Sequence, residues 1–304
     1  MPATRSQAPA GASQATQAHV QGARPGATTF VGTGPEAEGH PLAVYAEMPF
    51  SLTPNPRYLY VGTQHRSAIA KSLYLVEHRQ GLTVIFGDVG MGKTTVGRHL
   101  LHHFVDYPEK FLVAYLPNPS YPSEHQLLVA ICAEFGIAPA RSKQATLARL
   151  NAFFTDAYQA GRLAVLLIDE AQLLKGPQFE LLRQLLNFET DDHKLVQIVL
   201  FGQNELRAKL KPKKALCSRI VTRSTLEPLD LADTDGMIRF RLQVAGCPPT
   251  LFEPAAVARV YEASGGVPRE INKICLSAFT LASFAGLTSI GPDLVEQALA
   301  EIDA

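Results

Sequence analysis

The sequence predicts an α/β protein with a mostly parallel sheet, followed by a smaller helical domain. Three observations lead there: short continuous apolar runs alternate with amphipathic helical patterns, a glycine-rich loop sits between one such run and a helix, and the strand signal stops after about residue 230. The runs LTVIF (82–86), FLVAYL (111–116), LAVLLI (163–168) and LVQIVLF (195–201) are apolar throughout, as strands buried on both faces require. A fifth strand is expected within VTRSTLEPL. Ile69, Leu73 and Val76 share one helical face, and further helices are expected near 93–105, 124–135, 144–159 and 178–189. Beyond 230 the pattern is helical near 231–244, 254–264, 268–286 and 292–302, broken by CPPT, GGVP and GLTSIGP.

Three regions follow. Residues 1–43 are dense in Ala, Gly, Gln and Pro and cannot bury enough surface to offset the entropy of ordering, so they are expected to be a disordered tail. Residues 44–230 form the expected α/β nucleotide-binding domain and 231–304 the helical domain. At the start of the α/β region, the aromatic, proline-punctuated segment 45–60 is too apolar to be left in water and is expected to pack as an irregular strap against the α/β domain that follows it.

Composition narrows the function. The chain has 304 residues, 46% hydrophobic and 18% charged, with Lys+Arg and Asp+Glu both 28. Zero formal charge excludes a protein held to nucleic acid by its overall field, so any DNA contact must come from a local patch. Cys132, Cys217, Cys247 and Cys275 lie far apart, with neither zinc-site spacing nor disulfide density, and read as reduced thiols. No signal peptide is apparent, and the least polar long stretch, 274–287, is too short and too rich in Ser and Thr to cross a bilayer comfortably. A cytoplasmic protein without a membrane span of its own is expected.

The strongest motif is GDVGMGKTT, comprising Gly87, Asp88, Val89, Gly90, Met91, Gly92, Lys93, Thr94 and Thr95. Between a strand and a helix it has the context of a Walker A phosphate loop. Its glycines let backbone N–H groups surround the β-phosphate, Lys93 reaches the β- and γ-phosphates, and Thr94 offers its hydroxyl to Mg²⁺. A Rossmann loop lacks Lys-Thr after its last glycine and is discarded. ATP and Mg²⁺ are the expected ligands.

The strand 163–168 ends in Asp169 and Glu170. The first carboxylate suits a metal ligand and the second a general base for water, a pairing that favours an ATP hydrolase over a small GTPase or kinase. Gln203, just beyond 195–201, suits a contact to the γ-phosphate or lytic water, with helix capping as the alternative. Asn118 suits either a restraint on Glu170 or a turn. Arg219, with Arg223 next, is the candidate for a cation supplied to a neighbouring protomer, and Arg269 for one that reports nucleotide from the helical domain. Arg207, Lys209, Lys211, Lys213 and Lys214 form a basic run that suits either phosphate contacts with DNA or a solvated loop. His102 and His103 show no accompanying ligand set.

MPFSLTPNPRYLY, GDVGMGKTT, LLIDEAQLL, LLRQLLNFET, KLVQIVLFGQNEL, RLQVAG and GGVPREINKIC, in this order, resemble the ExeA/GspA-type AAA+ ATPases. That family is similar in turn to the transposition-regulator ATPases of the TnsC/TniB type and, more remotely, to origin-recognition ATPases. The resemblance implies a P-loop AAA+ fold with a C-terminal helical lid. It also implies ATP hydrolysis at subunit interfaces of an oligomer, a ring or a filament, with Lys93, Thr94, Asp169, Glu170, Gln203, Arg219 and Arg269 at motif positions. The expected output is assembly or remodelling of a partner complex. Narrower alternatives are a DNA-associated regulator of transposition or recombination, a secretion or cell-envelope assembly ATPase, and an ATP-locked scaffold with little turnover. Full-length secretion members continue into a membrane span and a periplasmic peptidoglycan-binding region, and initiators carry a winged helix; neither pattern is read in this sequence.

Overall fold

The computed structural model describes residues 47–53 and 55–303; the expected tail lies outside them. In chain order the elements are α1 (Thr63–Glu77), β1 (Leu82–Gly87), α2 (Lys93–Asp106), β2 (Phe111–Leu116), α3 (Glu124–Glu134), α4 (Lys143–Gln159), β3 (Leu163–Ile168), α5 (Gly176–Leu185), β4 (Val196–Gly202), α6 (Glu205–Leu210), α7 (Lys214–Cys217) and β5 (Ile220–Leu226). Four helices follow: α8 (Leu231–Val244), α9 (Pro254–Ser264), α10 (Pro268–Phe284) and α11 (Pro292–Asp303). The strands form one five-stranded sheet in the order β2-β3-β4-β1-β5. Among the described residues, no helix is long and apolar enough to cross a membrane.

The chain divides into two compact units. Among the described residues, the first comprises Lys71–Val84 and Leu100–Arg223, and the second 47–70, Ile85–His99 and 224–303.

In the first unit, β3 and β4 are buried along their whole length, which explains their uninterrupted apolar sequences. Both are paired in parallel: Leu116 lies opposite Ile168, and Ile168 opposite Leu200. Leu116, Ile168 and Leu200 are therefore level, β4 runs on two residues to Gly202, and the segments after Leu116, Ile168 and Gly202 leave from the same edge of the sheet. β5 alternates buried and exposed positions, the pattern of a terminal strand. Helix starts follow local capping, with Ser123 and Ser142 accepting from Gln126 N–H and Ala145 N–H. Helix α5 ends at Leu185 rather than near 189, because Glu189 and Lys194 pair across an antiparallel bridge. The basic run, one reading of which is a loop, lies largely on the short helices α6 and α7.

In the second unit, helices α8 to α11 bury an apolar core into which the segment before α1 inserts. Phe50 is fully buried, edge-on to Phe252 and Phe279 at centroid distances of 5.6 and 6.4 Å. Arg241 of α8 ties this strap down. Its buried guanidinium donates to the carbonyls of Pro49, Ser51 and Tyr58 at 2.8, 3.1 and 3.1 Å. Burial pushes its pKa down to about 10, so it stays charged at neutral pH. The strap was expected against the α/β domain; its Phe50 and Tyr58 instead pack into the core of the helices after residue 230, because Arg241 of α8 holds its carbonyls there. Gly266, before α10, has φ +74°, and a β-carbon there would lie 2.0 Å from the Leu229 carbonyl oxygen. That approach, with Leu229 N–H donating to Gly266 C=O at 2.8 Å, fixes where α10 begins.

Phe50→Ala should leave a cavity in this core and lower stability by about 3–5 kcal/mol. Urea unfolding followed by far-ultraviolet circular dichroism checks it; an unchanged midpoint would show that the strap lies outside the cooperative core.

Candidate nucleotide site

In the second unit, the loop 87–95 joins β1 directly to α2. Gly90 and Gly92 have φ +86° and +85°, a left-handed conformation that any β-carbon opposes. A β-carbon on Gly90 would lie 2.9 Å from Arg269 Cβ and 3.0 Å from Val267 Cγ1, and one on Gly92 would lie 3.1 Å from His65 Nε2. The left-handed backbone favours glycine at both positions, and at Gly90 a β-carbon would also crowd Arg269 Cβ. Helix α2 begins at Lys93, so the positive end of its dipole and its first-turn N–H groups face the loop, as an anion cradle requires. Lys93 is buried, and its ammonium donates to the Asp88 carbonyl at 2.9 Å, folded back along the loop. Thr94 and Thr95 are half-buried on the first turn of α2.

His65 supports this loop from α1. It is 3% exposed, and its Nε2 lies 2.9 Å from the Met91 carbonyl oxygen. A carbonyl only accepts, so Nε2 carries the proton and Nδ1 is the bare nitrogen. Nδ1 is buried without a partner among the described residues, and burial holds the His65 pKa below its ordinary value. Arg269, exposed near the start of α10, leaves that helix against Gly90, so the loop and this arginine are neighbours within one unit.

The first unit carries the acids. Asp169 is buried at the tip of β3, where its N–H donates to the Leu116 carbonyl at 2.9 Å. Glu170 follows with φ 50° and ψ 38°, a left-handed placement that costs a non-glycine residue about 1 kcal/mol. Glu170 N–H donates to Asp169 Oδ1 at 2.8 Å. Its carboxylate Oε2 accepts from Gln203 Nε2 at 3.2 Å and also from Gln172 Nε2. Gln172 is buried, and its Oε1 accepts the Gln203 backbone N–H at 3.1 Å. Glu170 and Gln203 therefore meet, with Gln172 bridging them. Asn118 is exposed and accepts from Ser120 N–H at 3.2 Å, the turn-forming role. The contact to Glu170 weighed for Asn118 is made by Gln172 instead, because Asn118 Oδ1 is turned back onto its own loop.

Residues 76–210 match the AAA domain family. General secretion pathway protein A of Aeromonas hydrophila is 43% identical over 246 residues, which cover 79% of this chain and 44% of that protein. The chain thus spans less than half the length of that relative. The chain belongs to the AAA+ ATPases. Its matched part is of the ExeA/GspA type. Two solved structures share the fold at low identity. The ORC2 protein of Aeropyrum pernix has a TM-score of 0.63 at 19% identity, covering 85% of this chain and 72% of that chain. Cdc6p of Pyrobaculum aerophilum has a TM-score of 0.63 at 15% identity, covering 84% and 70%.

In this AAA+ chain the remaining arginines are locally engaged. Arg219 is half-buried and donates to the Ala215 carbonyl at 2.6 Å and to Asn187 Oδ1 at 2.8 Å, while the exposed Arg223 donates to the Cys217 carbonyl at 3.3 Å. Of the basic run, Arg207, Lys209, Lys211 and Lys214 are exposed. Lys209 nonetheless turns inward and donates to the carbonyls of Gln172 and Leu174. His103 packs against Tyr107 and Phe111, an aromatic contact. Cys132, Cys247 and Cys275 are buried free thiols and Cys217 is half-buried. Neither His65 nor Gln172 stands out in the sequence: a lone histidine in GTQHRS and an amide in DEAQLL belong to no motif whose chemistry names them.

His65 gives a pH dependence with a definite sign. Its folded pKa lies below the unfolded one, so the unfolded chain takes up the proton first and stability falls as pH drops below about 6.5. His65→Gln keeps a donor for the Met91 carbonyl but does not titrate. Urea unfolding at pH 7.5 and 5.5 should therefore show a smaller acid loss in the variant; equal losses would place the titration elsewhere.

Proposed function

We propose that this chain binds ATP with Mg²⁺ and hydrolyses it, using the energy to assemble or remodel a partner complex. The loop 87–95 carries this reading: two left-handed glycines, a buried lysine and a helix N-terminus in sequence, with Arg269 against Gly90. The left-handed turns at these glycines lead straight into the first-turn N–H groups of α2, with Lys93 at its start, so the residues present fit a nucleotide polyphosphate. Thr94 and Asp169 are hard oxygen donors suited to Mg²⁺. Among the described residues, no cluster of three or more His, Cys, Asp or Glu residues forms a metal site. When bound, Mg²⁺ neutralises charge on the β- and γ-phosphates.

In this reading Lys93 holds the γ-phosphate, Glu170 takes a proton from the attacking water and Gln203 orients that water. Arg269 senses the nucleotide from its own chain, and Arg219 serves the site of a neighbouring protomer. The oligomer, a ring or a filament, follows from Arg219. The relative named for general secretion supports an output in protein transport or envelope assembly. A DNA-associated output is supported by the exposed cations Arg207, Lys211 and Lys214 on and between α6 and α7, joined by Lys213 and by Lys209 at the foot of the same turn. DNA-stimulated turnover that falls steeply with salt would select the second output.

Lys93→Ala should lose most ATP affinity in calorimetry. Glu170→Gln should keep that affinity and lose hydrolysis by roughly a hundredfold or more, because its amide cannot accept the proton. Near wild-type phosphate release from Glu170→Gln would make Glu170 a structural acid.

Subunit mixing tests Arg219. Arg219→Ala should bind ATP and not turn it over, and mixing it with Glu170→Gln should restore activity at interfaces that keep both groups. Wild-type specific activity should also rise with protein concentration as the oligomer forms. Constant turnover down to concentrations at which the chain is monomeric would make Arg219 an ordinary surface residue.

A further inference from the structure

The peptide joining Met91 to Gly92 is fixed from outside the phosphate loop. His65 of α1 donates from Nε2 to the Met91 carbonyl at 2.9 Å, and its imidazole is buried. The peptide is trans and planar, with its C=O and N–H on opposite sides. The bond that turns the Met91 carbonyl toward α1 therefore turns the Gly92 N–H the other way. The Gly92 carbonyl opens the ladder of α2 by accepting from Val96 N–H at 3.0 Å, and N–H groups ahead of that bond have no partner inside the helix. One polar group of the peptide is thus held by His65, and the other is presented beside a helix start, where an anion is favoured. A reversed peptide would turn a carbonyl oxygen toward that anion and repel it. Gly92 has no side chain to resist such a reversal, so the orientation needs a hold from elsewhere. The ring supplies it at close range, because a β-carbon on Gly92 would lie 3.1 Å from Nε2.

We propose that His65 is a positioning residue for the nucleotide: by holding the Met91 carbonyl toward α1 it keeps the Gly92 N–H turned into the phosphate cradle. This rests on the loop 87–95 binding ATP, and the test separates the two claims. His65→Gln carries an amide nitrogen the same number of bonds from the backbone as Nε2, His65→Asn carries it one bond short, and His65→Leu fills the space without a donor.

Calorimetry on the full chain should find His65→Gln close to wild type, and His65→Asn and His65→Leu weaker by about tenfold, on the order of one buried hydrogen bond. MgATP and MgADP should lose alike, since both carry the β-phosphate. In hydrolysis by His65→Leu the loss should appear in KM, with kcat at saturating ATP within about twofold of wild type. A packing role alone predicts the reverse order, with His65→Leu near wild type and both amides weaker. That order, in variants folded by circular dichroism, would overturn the positioning while leaving the loop as the ATP site if Lys93→Ala still abolishes binding. On the wild type itself, the Gly92 amide resonance should shift with those of Lys93 and Thr94 when MgADP is added. An unmoved Gly92 resonance beside shifted neighbours would overturn the positioning whatever the variants do. Unchanged ATP affinity in Lys93→Ala would remove the loop assignment and the positioning with it.

Discussion

A parallel strand buried on both faces has no room for polar chemistry along its length, so whatever reacts must stand at its ends. β3 and β4 are buried from first residue to last, and their parallel register brings Leu116, Ile168 and Leu200 level. Asp169 is the first residue past that apolar wall and Gln203 the first past β4. Their juxtaposition with Glu170 is a consequence of register, because a slip of one residue would turn every side chain of a strand to the other face. The same logic places the phosphate loop at the end of β1, where the backbone turns through two left-handed glycines before α2 begins.

The strands were legible because burial on both faces writes itself as an unbroken apolar run. The loop 87–95 was legible because only glycine tolerates its backbone and only Lys-Thr supplies its chemistry. Less legible were the features set by tertiary packing. Arg241 looks like any helical arginine in RLQVAG, yet it is buried against three carbonyls of the strap, which only the folded chain brings to it. Asn118 precedes a proline-rich loop and satisfies its own turn; the amide that reaches Glu170 comes two residues after it, from Gln172 on a short 3-10 turn. The end of α5 was misplaced because Leu186 and Phe188 continue the apolar pattern after the helix has given way to the Glu189 to Lys194 bridge.

The arginines show why charge in a sequence underdetermines its use. Arg241 is held by three carbonyls and lies over the Tyr58 ring, contacts that stabilise a cation without neutralising it, and so it serves as a structural tie. Arg219 makes neutral contacts to Ala215 and Asn187 near the surface. Arg269 leaves α10 against Gly90, whose missing side chain makes space for it. Burial separates the first from the other two.

Glu170 and Gln203 are hydrogen-bonded to each other, with Gln172 bridging them. Gln172 addresses both groups, and Lys209 ties the backbone of that residue to α6, the first helix of the basic run. One lysine and one amide therefore link the basic surface of α6 to Glu170.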